Sequence, residues 1–197
     1  MESIREMETK MKLPDVTVES NWNSQSVRSY MITGELELLL TLIESVNPKS
    51  MIEFGVNEGR TALAVLAIFP DITRYVGVDV AFDHQLEIPA QQIEVPRHPG
   101  HMVAGNPRFK LIIRENDDVF DSMIDSFDVA FIDGDHGFNA VIKDHKLAMR
   151  LVRKGGLIVH HDYDNSSVQS TEALDELYAQ GHKLNHVKGC WLAYEYV

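Results

Sequence analysis

The sequence of 197 residues contains a single cysteine, Cys190, and this scarcity excludes two kinds of stabilisation. One cysteine cannot form an internal disulfide, and it cannot build a zinc cluster that needs several thiolates. We therefore expect Cys190 to be a small residue of the hydrophobic core.

Long apolar runs are also absent. The longest uncharged run, residues 61–70, is far shorter than the roughly 20 residues that cross a bilayer. Residues 1–12 alternate charges with Met and Ile, unlike the continuous apolar segment of a signal peptide. We predict a cytoplasmic protein with no membrane partner.

Positive charge is scarce. The chain has 18 Lys and Arg against 30 Asp and Glu, a formal net charge of -12. Because a surface that follows phosphates normally needs a basic stripe, we predict no nucleic-acid partner. The composition is otherwise that of one globular domain, which we place at residues 33–197, after an N-terminal flap or cap at residues 1–32 that contains Trp22 and Tyr30. A homodimer is compatible with this composition.

A strand, a glycine turn and a helix are predicted around residue 55. The apolar run 51–54 carries Glu53, and Gly55 and Gly59 follow before Thr61 opens a second apolar segment. In open α/β sheets such a turn, at the carboxyl end of a strand, binds ligands. A carboxylate repels phosphate, so Glu53 favours a ligand with a cationic end.

Asp79 supplies the second half of this argument. The segment 74–80 is predicted as the next strand, and an acidic side chain at its end accepts hydrogen bonds from ribose hydroxyls. Glu53 and Asp79 together favour a ligand with an amino acid at one end and a nucleoside at the other. S-adenosylmethionine is such a molecule.

The rest of the chain alternates strands and helices, which predicts a mostly parallel α/β sheet with helices on both faces. Strands are expected at 109–113, where Asn116 follows near an adenine edge, at 127–133, and at 157–160 after a glycine turn at 154–156. In the tail, the segments 183–187 and 190–197 are too close for a crossover and must be antiparallel.

The segment 81–107 is the least regular part of the sequence. It holds four of the seven prolines, Pro89, Pro96, Pro99 and Pro107. Because a loop this long is usually functional or mobile, we expect a lid that faces the substrate.

Four motifs together resemble those of class I S-adenosylmethionine-dependent methyltransferases. They lie at 52–61, 78–79, 131–136 and 155–163, and they are most similar to a bacterial and phage small-molecule group related to catechol-type O-methyltransferases. The resemblance implies a Rossmann-like, seven-stranded sheet whose last strand is antiparallel. It implies these cofactor-binding residues: Glu53, Gly55, Val56, Asn57, Gly59, Thr61, Asp79, Asn116 and Asp133.

The same resemblance implies a metal site at Asp133 and Asp162, for Mg²⁺ or another divalent ion. The relatives carry an Asn after the second Asp, whereas this chain has Tyr163. Asp135, His161 or Asp164 could supply a further ligand, and two His near two Asp would suit a transition metal. In the alternative interpretation, the two carboxylates cap strand ends without a metal.

Two histidines are candidate general bases beside Asp133. His136 stands where relatives carry a lysine base, and His161 is the other candidate, since an imidazole titrates near neutrality. The remaining histidines are interpreted differently: His160 packs within its strand, and the surface is expected to hold His145, His182 and His186.

The resulting hypothesis is an S-adenosylmethionine-dependent enzyme that methylates a hydroxyl of a small molecule. A nicotinamide-dependent oxidoreductase is the first alternative, although Glu53 and the missing third glycine of a G-x-G-x-x-G motif speak against it. A cofactor-binding module without catalysis is the second.

Overall fold

The computed structural model describes residues 12–19, 31–114 and 116–197. The α-helices in these ranges are α1 (Glu35–Glu44), α2 (Arg60–Ile68), α3 (Phe138–Leu151) and α4 (Ser170–Ala179). The strands are β1 (Asp15–Val16), β2 (Ser50–Phe54), β3 (Arg74–Asp79), β4 (Phe109–Ile113), β5 (Phe127–Ile132), β6 (Val152–His160), β7 (Asn185–Val187) and β8 (Ala193–Tyr196). Short 3₁₀ helices occupy Pro89–Glu94 and Asp118–Met123.

The strands form one sheet in the order β1-β7-β8-β6-β5-β2-β3-β4. β2 to β6 are mutually parallel, and β8 is antiparallel to both of its neighbours, β6 and β7. The predicted mostly parallel sheet with an antiparallel last strand is therefore confirmed. The structure adds an eighth strand, β1, which pairs in parallel with β7 at the sheet edge and comes from the segment that we expected to form a flap.

The order of the strands creates a crevice beside β2. The chain runs from β2 through β3 to β4 at one edge, then returns to place β5 on the other side of β2. Connections leave the carboxyl ends of β2 and β5 in opposite directions, and the gap between them is where open α/β sheets bind ligands.

Both faces of the sheet are covered by helices. Leu39 of α1 and Val65 of α2 share one apolar cluster with Phe131 of β5. On the opposite face, Leu147 of α3 packs in a cluster with Ala130, the neighbour of Phe131 in the strand. Alternate residues of β5 are thus buried on opposite sides, which explains why the central strands are continuous apolar runs in the sequence.

Two local predictions need comment. The predicted turn at 154–156 is wrong, because these residues lie inside β6, where its pairing with β5 shifts register; residues 154 and 155 are exposed and Gly156 is buried. Cys190 is buried, as expected, and its thiol pKa is raised to about 11 by burial.

The N-terminal flap remains a prediction. Of residues 1–32 the structure describes 12–19 and 31–32, so Trp22 and Tyr30 lie outside the described residues. Leu13 is buried, and its backbone N–H donates to the Tyr163 hydroxyl at 3.0 Å, which fixes this segment against the sheet. No helix in the described part of the chain is long and apolar enough to cross a membrane. The cytoplasmic location and the homodimer stay predictions.

Candidate active site

A cavity of about 770 Å³ lies at the carboxyl ends of the parallel strands. Its wall includes residues that follow β2, β3, β4, β5 and β6, together with part of α3 and of the segment 81–107. This volume is within the range that binds small ligands and cofactors. The predicted site residues that line the cavity are Gly55, Asn57, Asp79, Asn116, Asp133, His136, His161 and Asp162.

A cleft of about 40 Å³ adjoins the cavity and shares Gly55, Asn57 and Asp133 with it. The other predicted cofactor residues that border this cleft are Glu53, Val56 and Thr61, and Met31 closes it from the N-terminal side.

Gly59, although predicted to bind cofactor, lines neither space. It precedes α2 at φ 95°, and a Cβ there would lie 3.0 Å from Val103 Cγ2. Its role in the structure is therefore conformational, in the turn and against the 81–107 segment.

Gly55 is required by its backbone conformation and by a close contact between two strand ends. Its φ is +84°, and a Cβ would lie 2.0 Å from the carbonyl oxygen of Asp133. The absent side chain lets the end of β2 touch the end of β5. This close approach, rather than ligand contact, brings Asp133 beside the glycine turn.

Glu53 lies almost fully buried under the turn, where it accepts a hydrogen bond from the Tyr75 hydroxyl at 2.7 Å. Burial raises the pKa of Glu53 well above its ordinary value, although the Tyr75 hydrogen bond opposes this change. A buried carboxylate without a cationic partner favours its neutral form. A ligand ammonium in the adjoining cleft would restore the ionised form.

Asp79 is held rigidly at the end of β3. One carboxylate oxygen accepts from the Asn57 N–H at 2.7 Å, and the other accepts from the Val80 N–H at 2.8 Å. Burial raises the pKa of Asp79. Each oxygen keeps a further lone pair for a ligand in the cavity.

Four side chains converge at the ends of β5 and β6, and we call Asp133, His136, His161 and Asp162 the cavity cluster. His136 Nε2 lies 3.4 Å from Asp133 Oδ1 and 3.2 Å from Asp162 Oδ2. His161 Nδ1 lies 3.2 Å from each of the same two oxygens. Two nitrogens therefore face one pair of carboxylate oxygens.

The charges of the cavity cluster are strongly coupled. Burial would lower the pKa of His136 and of His161, but the carboxylates of Asp133 and Asp162 outweigh it and raise both pKa values. The imidazoles in turn hold the pKa values of Asp133 and Asp162 below their usual range, against the effect of burial. The cluster is thus built from two carboxylates and two readily charged imidazoles.

Two nitrogen atoms of this cluster have no aligned partner in the described part of the chain. His136 Nε2 and His161 Nδ1 are buried without a hydrogen bond, although both lie near carboxylate oxygens. Buried polar atoms are normally satisfied, so such orphan atoms indicate a group that the protein is built to hold. Imidazole nitrogens with carboxylate oxygens are ligands for a divalent transition metal.

Three residues that sequence reasoning missed orient the cavity cluster. Glu35, at the start of α1, lies 3.0 Å from His161 Nε2 and accepts from the Trp191 N–H at 2.5 Å. Gln91 Nε2 lies 2.8 Å from His136 Nδ1. No sequence pattern near the motifs identifies Glu35 or Gln91, because both contacts join distant parts of the chain.

The third missed residue, Asn165, bears on the departure from the relatives' pattern at Tyr163. The Tyr163 side chain is buried, and its hydroxyl donates to Asp175 Oδ1 at 2.8 Å. Asn165 lines the cavity, and its amide donates to Asp162 Oδ1 at 2.7 Å. A side-chain amide beside Asp162 is thus present, two residues later than the resemblance implies.

The segment 81–107 forms one wall of the cavity, and its role as a lid that faces the substrate stays a prediction. Its lining residues are His84, Gln85, Leu86, Glu87, Gln91, Glu94, Val95 and Pro96. Glu87 also contacts the start of α3, since its backbone N–H donates to Asp135 Oδ2 at 2.8 Å.

The three histidines expected at the surface are placed differently. His145 is fully buried, His186 is nearly so, and His182 is partly buried. His145 and His182 meet Glu195 on the α3 side of the sheet, and His160 contacts His145 from the strand; we call these four residues the buried cluster. The correct signal for His145 was its position between Val141 and Ala148 on the apolar face of α3.

The fold and the site together have the architecture of a class I methyltransferase: a crevice at the switch point of a parallel sheet, with an antiparallel strand in the tail. Residues 52–163, more than half of the chain, match the model of a family described as a methyltransferase domain. The chain belongs to this family, and the resemblance inferred from the motifs is confirmed.

Individual relatives agree with this assignment. The chain is 27% identical over 169 residues to caffeoyl-CoA O-methyltransferase 3 of Nicotiana tabacum, covering 82% of this chain and 62% of that protein. It is 30% identical over 145 residues to tricin synthase 2 of Oryza sativa subsp. japonica, covering 72% and 46%. The chain thus spans less than two thirds of the length of these relatives.

A solved structure shares the fold. The O-methyltransferase TomG of Streptomyces achromogenes, determined in complex with S-adenosylmethionine, superposes with a TM-score of 0.58 at 16% identity, covering 84% of this chain and 80% of that one.

Proposed function

We propose that the protein transfers the methyl group of S-adenosylmethionine to a hydroxyl of a small molecule. The observation that carries this proposal is the order of side chains along the carboxyl edge of the sheet. Asn116 and Asp79 follow β4 and β3, Glu53 and the glycine turn belong to β2, and the cavity cluster follows β5 and β6. Along the sheet edge, these groups correspond in turn to the nucleoside of the cofactor, to its amino-acid part and to the centre where the methyl group reacts.

In this proposal, each part of the cofactor meets one group. The Asp79 carboxylate accepts from the ribose hydroxyls, and Asn116 faces the adenine. The methionine part lies along Gly55, Val56, Asn57 and Thr61, and its ammonium neutralises Glu53. Gly59 acts indirectly through the shape of the turn.

The acceptor occupies the part of the cavity between the cavity cluster and the 81–107 segment. A mixed wall of Leu86, Glu87, Val95 and Asn165 suits a small molecule with both apolar and hydrogen-bonding groups. The protein's main task is alignment, because the sulfonium already activates the methyl group and the acceptor oxygen must stand about 3 Å from it, in line.

The cavity cluster fits a divalent metal ion, since two orphan nitrogens and two carboxylate oxygens face one another. Asp133, His136 and Asp162 would hold the ion, with His161 as a further donor, and two imidazoles favour a transition metal over Mg²⁺. When bound, such an ion would lower the pKa of the acceptor hydroxyl and orient it.

The predicted base role of His136 and the ligand role proposed above exclude each other, because a nitrogen that coordinates a cation cannot also accept a proton. The carboxylates raise the pKa of His136, which favours its protonated form and opposes a role as general base. We therefore assign His136 and His161 to binding, with Gln91 and Glu35 fixing their ring orientations.

Calorimetric titration of S-adenosylmethionine, S-adenosylhomocysteine and NADH tests the cofactor. We expect micromolar binding of the two sulfur compounds and none of NADH, with and without EDTA. Asp79→Ala should weaken cofactor binding roughly 10-fold or more, because a charged hydrogen-bond acceptor is lost. The exposed Asp71→Asn variant is the control. Binding of NADH alone would favour the oxidoreductase alternative.

A further inference from the structure

We propose that His145, His182 and Glu195 form a second, structural metal site for a divalent transition metal ion such as zinc, separate from the cavity. None of these residues belongs to the motifs or lines the cavity. The three residues come from α3, from the connection between α4 and β7, and from β8, so an ion would join three elements that are distant in sequence.

The donor atoms already stand at the spacing of a metal site. His145 Nε2 lies 3.0 Å from His182 Nδ1, His182 Nδ1 lies 3.1 Å from Glu195 Oε2, and His145 Nε2 lies 3.6 Å from Glu195 Oε2. A tetrahedral ion with bonds of about 2.0–2.2 Å holds its ligand atoms roughly 3.2–3.6 Å apart. The longest edge of the triangle lies within this range and the two others are slightly shorter, so the triangle approximates one face of such a tetrahedron.

The hydrogen bonds of this triangle compete with one another. One proton on His182 Nδ1 cannot point at both His145 Nε2 and Glu195 Oε2, and a second proton on His145 Nε2 would face the first at 3.0 Å. If His182 Nδ1 carries no proton, its lone pair faces the carboxylate instead. A cation at the centre is attractive to all three atoms at once.

The charge balance points the same way. Glu195 is buried, and its ion-pair partners in the described ranges are His145 and His182. A divalent ion at the centre of the triangle would supply the positive charge that pairs with this buried carboxylate.

Surrounding groups orient the donors as they do in known metal sites. His145 Nδ1 lies 3.0 Å from His160 Nε2, so a proton donated to His160 leaves His145 Nε2 free for the ion. The Lys183 N–H donates to Glu195 Oε1 at 2.6 Å and leaves Oε2 directed at the triangle. The His182 side chain is 25% exposed, which provides an entry path and room for water as a fourth ligand.

The test needs a protein in which the cavity cluster cannot bind metal. We would prepare Asp133→Asn/Asp162→Asn, strip it with EDTA, and titrate Zn²⁺ by calorimetry and Co²⁺ by visible absorption. We expect one equivalent of each ion, an intense tetrahedral Co²⁺ spectrum, and a higher melting temperature with Zn²⁺. Absence of stoichiometric binding in this folded background would refute the site.

Three further variants in the same background locate the ion. His182→Gln and Glu195→Gln should each lose the bound equivalent, whereas His101→Gln, in the exposed 81–107 segment, should keep it. Glu195→Gln retains an oxygen for the Lys183 N–H, so it separates loss of a ligand from loss of folding, as judged by circular dichroism. An equivalent that persists in either folded variant would place the ion elsewhere. Because the readouts are metal binding and stability, they do not depend on the proposed methyl transfer.

Discussion

The cavity cluster and the buried cluster both combine histidines with carboxylates, but the pKa values of their histidines shift in opposite directions. In the cavity cluster, two imidazoles share two carboxylates, and their pKa values rise despite burial. In the buried cluster, one carboxylate contacts two imidazoles and the third imidazole, His160, contacts another histidine, and the pKa values of His145 and His160 fall far below normal. The difference teaches that the number of carboxylates in contact with a buried histidine, rather than burial alone, decides its charge.

The two clusters should therefore respond to pH in opposite directions in the metal-free protein. The raised pKa values of His136 and His161 contribute stability that is complete below about pH 6.5, the unfolded value, and is lost as pH rises through the folded values. The lowered pKa values of His145 and His160 contribute stability that is present above about pH 6.5 and is lost as pH falls.

The largest effect is expected when the cavity cluster loses a carboxylate. Asp133→Asn removes the negative charge that faces both His136 and His161. Turnover should therefore fall about 10²–10⁴-fold, the range for a group that acts at the reacting centre. Single-turnover kinetics with saturating S-adenosylmethionine and a vicinal diol acceptor would measure it, and calorimetry would separate this loss from a change in cofactor binding, because Asp133 also borders the cleft.

Glu195→Gln is the matched control for this experiment, because it removes a carboxylate from the buried cluster instead. Turnover of the Glu195→Gln variant should stay within about 2-fold of the wild type at 25 °C, since the buried cluster lies outside the cavity. Equal losses in the two variants would mean that the clusters are not functionally distinct.

A smaller effect, in stability, is expected from titration. In EDTA-treated protein, the imidazole NMR signals of His145 and His160 should stay in the neutral form down to about pH 5.5, while those of His136 and His161 should already be charged at about pH 6.5. For each histidine that stays neutral in the folded protein at pH 5.5, the free energy of unfolding should be about 1.4 kcal/mol lower than at pH 8.

Assignment of the four signals by single His→Gln variants would test the comparison directly. Charged signals for His145 at about pH 6 would contradict the buried cluster as described. Neutral signals for His136 and His161 at that pH would mean that the carboxylates do not outweigh burial in the cavity cluster.

The sequence predicted the fold well, because its signals are local. The apolar run before Gly55 and the predicted strand at 109–113 each fix an element within a few residues of its true bounds. The strand-end residues Asp79, Asp133 and Asp162 were also found, since parallel strands bring their carboxyl ends to one edge. The predicted turn at 154–156 failed because a distorted strand and a turn share the same glycines.

The parts of the site that were missed depend on contacts between distant segments. Glu35 meets His161 across 126 positions and Gln91 meets His136 across 45, and neither pairing has a periodicity or spacing to reveal it. The burial of His182 and His186 likewise depends on how the tail packs against α3 and β1. A polar residue carries no local sign that a tertiary partner will bury it.

The smallest effect is expected from Gln91, which reaches the cavity cluster from the 81–107 segment. Gln91→Leu keeps most of the volume but removes the amide beside His136 Nδ1, so the ring loses one orienting hydrogen bond. A net hydrogen bond of about 0.5–1.5 kcal/mol corresponds to a fall in turnover of roughly 3- to 10-fold, with cofactor affinity unchanged.

Gln92→Leu is the neighbouring control, because the Gln92 amide binds backbone atoms of residues 84 and 86 within the same segment and does not contact His136. If both variants lost activity equally, the segment would act through its overall position rather than through Gln91. If Gln91→Leu alone lost activity and its pH profile shifted, the lid residue would be setting the orientation of His136. Within the described residues, the side-chain hydrogen bonds of Gln91 and Gln92 do not involve the buried cluster, so its histidines should not respond to either change.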